Sequence, residues 1–127
     1  MVVVVAAGND ADATTPSTDP NNPDGLASGL RAAGNGNVII AGSVDQSGTI
    51  SAFANRAGTE AAWYLAALGE QICCVYENGV IKTTVTNGQQ FVTVVSGTSF
   101  STPQISGAIA LLRQAFPNLT AAQTVDL

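Results

Sequence analysis

The chain opens on an unbroken β-branched run, Val2 to Val5, which leads into Ala6-Ala7-Gly8-Asn9. Valines without alternation predict a strand buried on both faces, the kind found inside parallel sheets. A second such run, Val38 to Val44, predicts a second buried strand. Between Asn9 and Gly36 the sequence is rich in Asp, Ala, Asn, Thr and Gly, and contains Pro16, Pro20 and Pro23. It has no clear period and reads as a long surface loop with a short helix near Leu26–Ala33. Ser51–Ala54 and Tyr64–Ala67 read as short strands, with a turn at Gly69 before Ile72–Tyr76. Asn78-Gly79 and Asn87-Gly88 are hairpin turn signals, flanked by Val- and Thr-rich segments. Cys73–Tyr76, Val80–Thr86 and Gln90–Val95 are therefore expected to form an antiparallel ribbon.

The period then changes. Ile105, Ile109, Leu112 and Phe116 recur at helical spacing and predict a helix over Ser99–Ala115 with one apolar stripe. Ser106, Gly107, Ala108 and Ala110 are small enough to let that helix approach its neighbours closely. Pro103 is expected in the first turn, where a missing N–H costs least, and Pro117 ends the helix. Thr120 and Gln123 have the spacing of a capping box and open a last, short helix. A domain seldom starts on its most buried strand, and the last helix stops after about two turns, so both ends read as cut from something longer.

Composition narrows the class. The chain has 127 residues, 46% hydrophobic and 10% charged, which suits one compact unit spanning 1–127 and excludes a disordered chain. Its net charge is −5 and no block of Lys or Arg occurs, so nucleic acid and anionic membrane surfaces are not expected partners. No apolar run reaches the roughly 18 residues of a spanning helix. Met1 and the valines lack the basic flank and cleavage site of a signal peptide. Cys73 and Cys74 are adjacent, which allows a vicinal disulfide or two free thiols; we expect small buried hydrophobes in a strand. Without CxxC spacing or histidine, no zinc site is expected.

Two segments carry candidate chemistry. Ser96-Gly97-Thr98-Ser99-Phe100-Ser101-Thr102-Pro103 sets a serine where a strand-like run meets a helix N-terminus. Unpaired N–H groups and the helix dipole stabilise negative charge there, and Gly97 lets a substrate backbone pass close by. Taken alone, Gly-Thr-Ser before a helix is most often only an N-cap. The other segment, Val2–Asn9, ends a buried strand on small residues and an asparagine. Ligands bind at the carboxyl ends of parallel strands, and a carboxamide there can donate to an oxyanion. A turn asparagine is the ordinary explanation of that residue too; the joint occurrence is what carries weight.

Together these segments resemble the subtilisin-like serine peptidases, whose valine strand ends in Ala-Ala-Gly-Asn and whose nucleophile motif has the form Gly-Thr-Ser-x-x-x-Pro. The match extends over most of the chain. It is strong at Val2–Asn9 and Gly97–Leu112, moderate at Asn37–Asn55 and Trp63–Ile72, and weak at Asp10–Gly36 and Cys73–Val95. The flavour is that of bacterial secreted or autotransported members. The resemblance implies an α/β fold: part of the three-layer subtilisin-like architecture, with parallel strands, an antiparallel ribbon and a long helix bearing the nucleophile. It implies Ser99 as the acyl-forming nucleophile, Asn9 as side-chain donor to the oxyanion, and the Ser99 N–H as second donor. Ala7, Gly8, Gly97 and Thr98 would contact substrate, with Ala7 and Gly8 forming one pocket wall. The substrate would be a polypeptide, no cofactor would be needed, and calcium is an option by resemblance only, since no loop shows a convincing array of oxygen ligands.

Three departures stand out. The family places its triad in the order Asp, His, Ser, and this chain contains no histidine. Gln104 stands where many members carry a non-catalytic His, and Leu68 where a proline is usual before the glycine. A serine hydroxyl without a base is a weak nucleophile, and the lone Lys82 lacks the Ser-x-x-Lys spacing of lysine-dependent enzymes. Asp45, ending the second strand, reads as structural or solvated. The leading reading is the C-terminal half of a peptidase domain, inactive without an N-terminal half that supplies Asp and His. A non-catalytic binding or assembly module on the same fold is the alternative, and an α/β hydrolase is disfavoured by the missing Gly-x-Ser-x-Gly elbow. A bare half-sheet further predicts homo-oligomers of the fragment, and the family predicts a secreted or cell-surface location.

Overall fold

The computed structural model describes residues 1–17 and 19–127. Its centre is a parallel sheet of β1 (Val3–Ala6), β2 (Val38–Val44) and β3 (Tyr64–Leu68), in that spatial order. Val3 pairs with Val38 and Ile40 with Tyr64, so all three strands end on one edge. The middle strand is buried along nearly its whole length. The outer β1 is only half-buried, because it has a single neighbour.

The period of two along each strand builds two separate apolar layers. Val5, Ala7, Ile40 and Tyr64 face Ala27 of α1 (Gly25–Ala33). Val2, Val4, Ile39, Ala41 and Ala67 face the opposite side, against Ile105 and Ile109 of α2 (Thr98–Ala115) and Val125 of α3 (Ala121–Asp126). This helix–sheet–helix stack is the expected α/β architecture. Asp24 starts α1 by accepting from the Ala27 N–H at 2.8 Å, while its own N–H donates to the Ala7 carbonyl. The loop is thereby tied to the end of β1. Arg31 fixes the other end of α1: its Nε lies 2.7 Å from Glu60 and its guanidinium 3.7 Å above the Trp63 ring. Glu60 and Trp63 belong to a 3-10 turn over Gly58–Trp63 that delivers the chain into β3.

The ribbon forms in three short pieces. β4 (Ile72–Cys73) pairs with β9 (Val94–Val95) at its root. β5 (Tyr76–Glu77) and β6 (Val80–Ile81) close around Asn78-Gly79, and β7 (Thr83–Thr86) and β8 (Gln89–Val92) around Asn87-Gly88. Both turns carry two successive positive φ angles, 52° and 79°, then 51° and 77°. This is the geometry that Asn-Gly pairs favour in two-residue hairpins. Thr120 and Gln123 make the expected capping box, each side chain satisfying the other's N–H.

Several expectations change. Ser51–Ala54 is a turn, not a strand: the Ser51 N–H bonds the Ser43 carbonyl and the Ala54 N–H folds back onto Ser51. Pro103 lies past the first turn, because α2 begins at Thr98. Ser106, Gly107, Ala108 and Ala110 face solvent, with no heavy atom within 4 Å of a Cβ placed on Gly107, and Phe116 is 57% exposed. The apolar stripe of α2 is therefore used only over Ile105–Leu112. Cys73 and Cys74 are not buried hydrophobes; their sulfurs face each other, with Cys73 exposed and Cys74 half-buried. Among the described residues no helix is long and apolar enough to cross a membrane.

Tyr64 supplies a test of this packing. Its hydroxyl donates to the Asn55 carbonyl at 2.7 Å, and burial first, partly offset by Arg56, raises its pKa above 10.0. A phenol favoured in its neutral form stabilises the fold fully below the unfolded pKa, and that contribution is lost as pH rises through the folded one. Unfolding by urea between pH 8 and 12 should show stability declining above about pH 10. Tyr64→Phe should cost about 1 kcal/mol at neutral pH and flatten this alkaline decline.

Candidate active site

The carboxyl edge of the sheet brings together the two segments singled out in the sequence. β1 ends at Ala6, and the Ala7 N–H still bonds the Ala41 carbonyl, so the strand geometry runs one residue further. Gly8 then turns the chain at φ +108°, where a Cβ would also crowd the Asn55 carboxamide at 3.1 Å. Only glycine accepts both conditions easily. The fully buried Asn55 supports this turn from beneath: its N–H donates to Gly8, its Oδ1 accepts from the Asp10 N–H, and its Nδ2 reaches the Asn22 carbonyl. Asn9 is thus presented from a turn braced on both sides.

The other segment arrives from the ribbon root. The Gly97 N–H donates to the Gly69 carbonyl at 2.8 Å, and α2 starts at the next residue. Thr98 is fully buried, with its N–H 2.9 Å and its hydroxyl 3.0 Å from Asn9 Oδ1. These bonds span 89 positions of sequence. They consume the carbonyl end of the Asn9 carboxamide, and Asn9 Nδ2 lies 3.5 Å from the position a Cβ would take on Gly97. Ser99 follows immediately and is exposed. Its N–H lies in the first helical turn, where the helix offers no carbonyl four residues earlier.

Two further side chains clamp the start of α2 onto β3, and a third bonds within the helix. Ser101, fully buried, donates to the Ala67 carbonyl at 2.9 Å, and Gln104 Nε2 donates to the carbonyls of Leu68 and Phe100. Thr102 returns its hydroxyl to the Thr98 carbonyl. Gly69 sits where these parts meet: a Cβ there would lie 2.4 Å from Ser101 Oγ, 2.5 Å from Ser43 Oγ and 2.7 Å from the Gly97 carbonyl. The sequence signalled Gly69 only as a turn; close approach of helix, strand and loop is its fuller reason.

The candidate residues are therefore not all alike. Asn9, Gly97, Thr98 and Ser99 converge on one edge. Thr98 is turned inward to hold Asn9, and Gly97 before it is buried too, so neither lines the expected surface. Ala7 likewise points into the core against Ala27 and Ile40, so in this chain its side chain forms no pocket wall, whereas Gly8 remains half-exposed. Asn55, Ser101 and Gln104 are supports that the sequence does not signal; the first two stand out only through their burial. Clefts of about 300 and 350 Å3 open elsewhere, at Asp45–Ser47 with Glu70–Gln71 and around Phe116–Leu119.

Asp45 Oδ1 accepts from the Ser47 hydroxyl and from the N–H groups of Ser47 and Thr49, and these bonds, that of the Ser47 side chain foremost, lower its pKa from 3.8. The carboxylate is spent on its own loop. Among the described residues no group of three or more His, Cys, Asp or Glu is placed to hold a metal ion. Lys82 is remote in the ribbon, 3.5 Å from Glu77, and both are exposed.

A small-residue turn presenting an amide thus lies next to a helix that opens on an exposed serine, at the carboxyl edge of a parallel sheet. The chain belongs to the Subtilase family (peptidase S8), whose model matches residues 1–127. It is 31% identical over 135 residues to mycosin-1 of Mycobacterium tuberculosis, covering 98% of this chain and 29% of that protein. Mycosin-4 of the same organism is 34% identical over 129 residues, with 98% of this chain and 28% of that protein covered. The solved structure of MycP1, described as a serine protease and an essential component of the type VII (ESX-1) secretion system, aligns at a TM-score of 0.61. That alignment has 26% identity and covers 98% of this chain and 35% of MycP1. MycP3 protease from the type VII (ESX-3) system aligns at 0.59, with 28% identity, covering 98% of this chain and 36% of that one. The chain thus spans about a third or less of the relatives it matches.

Thr98→Val keeps the shape of the buried side chain but removes one of the two donors to Asn9. The variant should lose about 1 kcal/mol of stability, and the Asn9 side-chain amide protons should exchange with solvent faster. Denaturant unfolding and amide-resolved NMR check both.

Proposed function

We propose that the chain is the nucleophile-bearing part of a subtilisin-like serine endopeptidase that hydrolyses peptide bonds through an acyl-enzyme on Ser99. The observation that carries this reading is the double hydrogen bond from Thr98 to Asn9 Oδ1, which leaves the amide end of Asn9 available beside Ser99. In this reading the Ser99 hydroxyl attacks the scissile carbonyl and the negative charge develops on its oxygen. Asn9 Nδ2 and the Ser99 N–H donate to that oxygen, and the N-terminal end of α2 adds a favourable field. Gly8 leaves room for the substrate backbone, while Thr98 acts only by positioning Asn9.

The missing part of the reaction is the base. The chain holds no histidine, and Lys82 is engaged elsewhere, so nothing here takes the proton of Ser99. Asp and His come, in this proposal, from an N-terminal part of the same domain, following the family's order along the chain. In subtilisin itself, loss of the serine or the histidine lowers turnover by on the order of 10⁶, and by resemblance the isolated chain is inactive. The likeness to mycosins also supports a bacterial secreted or cell-surface setting for the parent protein. The same likeness supports a polypeptide as its substrate.

A fluorophosphonate probe tests the assignment. Ser99 should stay unlabelled in the isolated chain and become labelled once the N-terminal half is added. In that reconstituted pair, Asn9→Ala should lower kcat by roughly 10²–10³ with labelling of Ser99 slowed in parallel. A pair that folds together yet never labels would favour a non-catalytic binding or assembly module; labelling of the chain alone would refute the missing-base account.

The half-buried β1 has one free edge, and Leu65, Leu111 and Phe116 are each more than half exposed. Free strand edges and bare apolar surface recruit further chains. Sedimentation should show the isolated chain as a dimer or larger assembly, and a monodisperse monomer would contradict this expectation.

A further inference from the structure

The side chain of Asn9 is held by Thr98, but its backbone is held by a different residue. Asn55 is fully buried; its N–H donates to the Gly8 carbonyl at 3.0 Å, and its Oδ1 accepts from the Asp10 N–H at 2.8 Å. One residue thus grips the peptide unit on either side of Asn9. Asn55 is itself fixed from two further directions. Its Nδ2 reaches the Asn22 carbonyl at 3.1 Å, and its own carbonyl accepts from the Tyr64 hydroxyl at 2.7 Å. Tyr64 opens β3 and lies over Gly42 of the middle strand, where a Cβ would come within 2.2 Å of the phenol oxygen. Any side chain at Gly42 would block this reach. The turn that carries Asn9 is therefore referenced to the sheet through Asn55, along a route separate from Thr98 and α2.

We propose that Asn55 is a positioning residue for the reaction at Ser99, acting only through Asn9; this inference rests on the roles proposed above for those two residues. Thr98 sets the rotation of the Asn9 carboxamide, whereas Asn55 sets the place from which that side chain starts. A donor to a developing charge is effective when it is already in place before the charge appears. A displacement of about 1 Å at a reacting centre lowers the rate by up to roughly 100-fold. Releasing the Asp10 N–H lets the turn shift and carries Asn9 Nδ2 away from the oxygen it serves. Bond formation at Ser99 slows, while the capture of a ligand that precedes it is unaffected.

The fluorophosphonate reaction of the reconstituted pair separates the two quantities, as the maximal labelling rate and the probe concentration that gives half of it. Asn55→Ala keeps the backbone bond to Gly8 and removes the carboxamide. It should lower the maximal rate roughly tenfold to 100-fold and leave the half-saturating concentration within about twofold. In an Asn9→Ala background the same change should lower the rate by about twofold or less, because the residue it acts through is gone. Thr120→Ala, which removes the cap of α3, serves as the control for general destabilisation and should leave the maximal rate within about twofold. If Asn55→Ala does not fold, Asn55→Ser, too short to hold Asp10 and Asn22 together, takes its place in the cycle. Amide exchange on the chain alone adds a readout free of catalysis: the Asp10 N–H should exchange roughly tenfold faster in either variant while β2 amides keep their protection. An unchanged maximal rate, an equal loss with and without Asn9, or Asp10 exchange at the unmodified rate would overturn the proposal. An unmodified pair that folds yet never labels would overturn the reading of Ser99 and this inference with it, a result distinct from a labelled pair indifferent to Asn55.

Discussion

Everything at the functional edge depends on one carboxamide oxygen. Asn9 Oδ1 accepts from the N–H and the hydroxyl of Thr98, and this pair of bonds is what joins the end of β1 to the start of α2. Thr98 is fully buried, so losing the bond from its N–H would strand that donor away from water, while its hydroxyl also accepts from the Gly8 N–H at 3.4 Å. The same constraint dictates its surroundings. Gly8 must turn with positive φ to aim Asn9, Asn55 must fill the space beneath, and Gly69 must stay without a side chain for the helix to come near.

The elements that could be read from the sequence are those whose cause is local. The two Asn-Gly hairpins, the Thr120–Gln123 capping box and the β-branched runs of β1 and β2 each carry their reason within a few residues. Ser51–Ala54 failed for the opposite cause, since its backbone is claimed by Ser43 through a fold-back that no period reveals. The small residues of α2 suggested close packing, yet size alone does not say which side a neighbour occupies, and here they face water. Of the site, Asn9 and Ser99 were legible through a motif resemblance, and their approach needed the sheet's parallel order. Thr98 and Ala7 were assigned to the surface because sequence spacing cannot tell an inward from an outward side chain on an irregular turn.

The family match covers the whole chain, while the chain covers about a third or less of its relatives. Asn9 and the Thr98–Ser99 helix start are held together by β1, β3 and α2. The proposed function assigns the base to a separate part of the domain, and such a division is physically reasonable, because the donors to a developing charge must be fixed tightly, whereas a base needs only to meet the hydroxyl within hydrogen-bond reach.

Pro103 bears on where Ser99 is anchored. Lying inside α2, it cannot offer the N–H that the Ser99 carbonyl would otherwise receive one turn on. The opening of the helix is held instead by side chains: Thr98 to Asn9, Ser101 to Ala67, Gln104 to Leu68. Ser99 consequently takes its coordinates from the tips of two strands more than from the rod that follows it. Bending the far end of that rod would leave the serine where it is, whereas sliding one strand past its neighbour would carry it along.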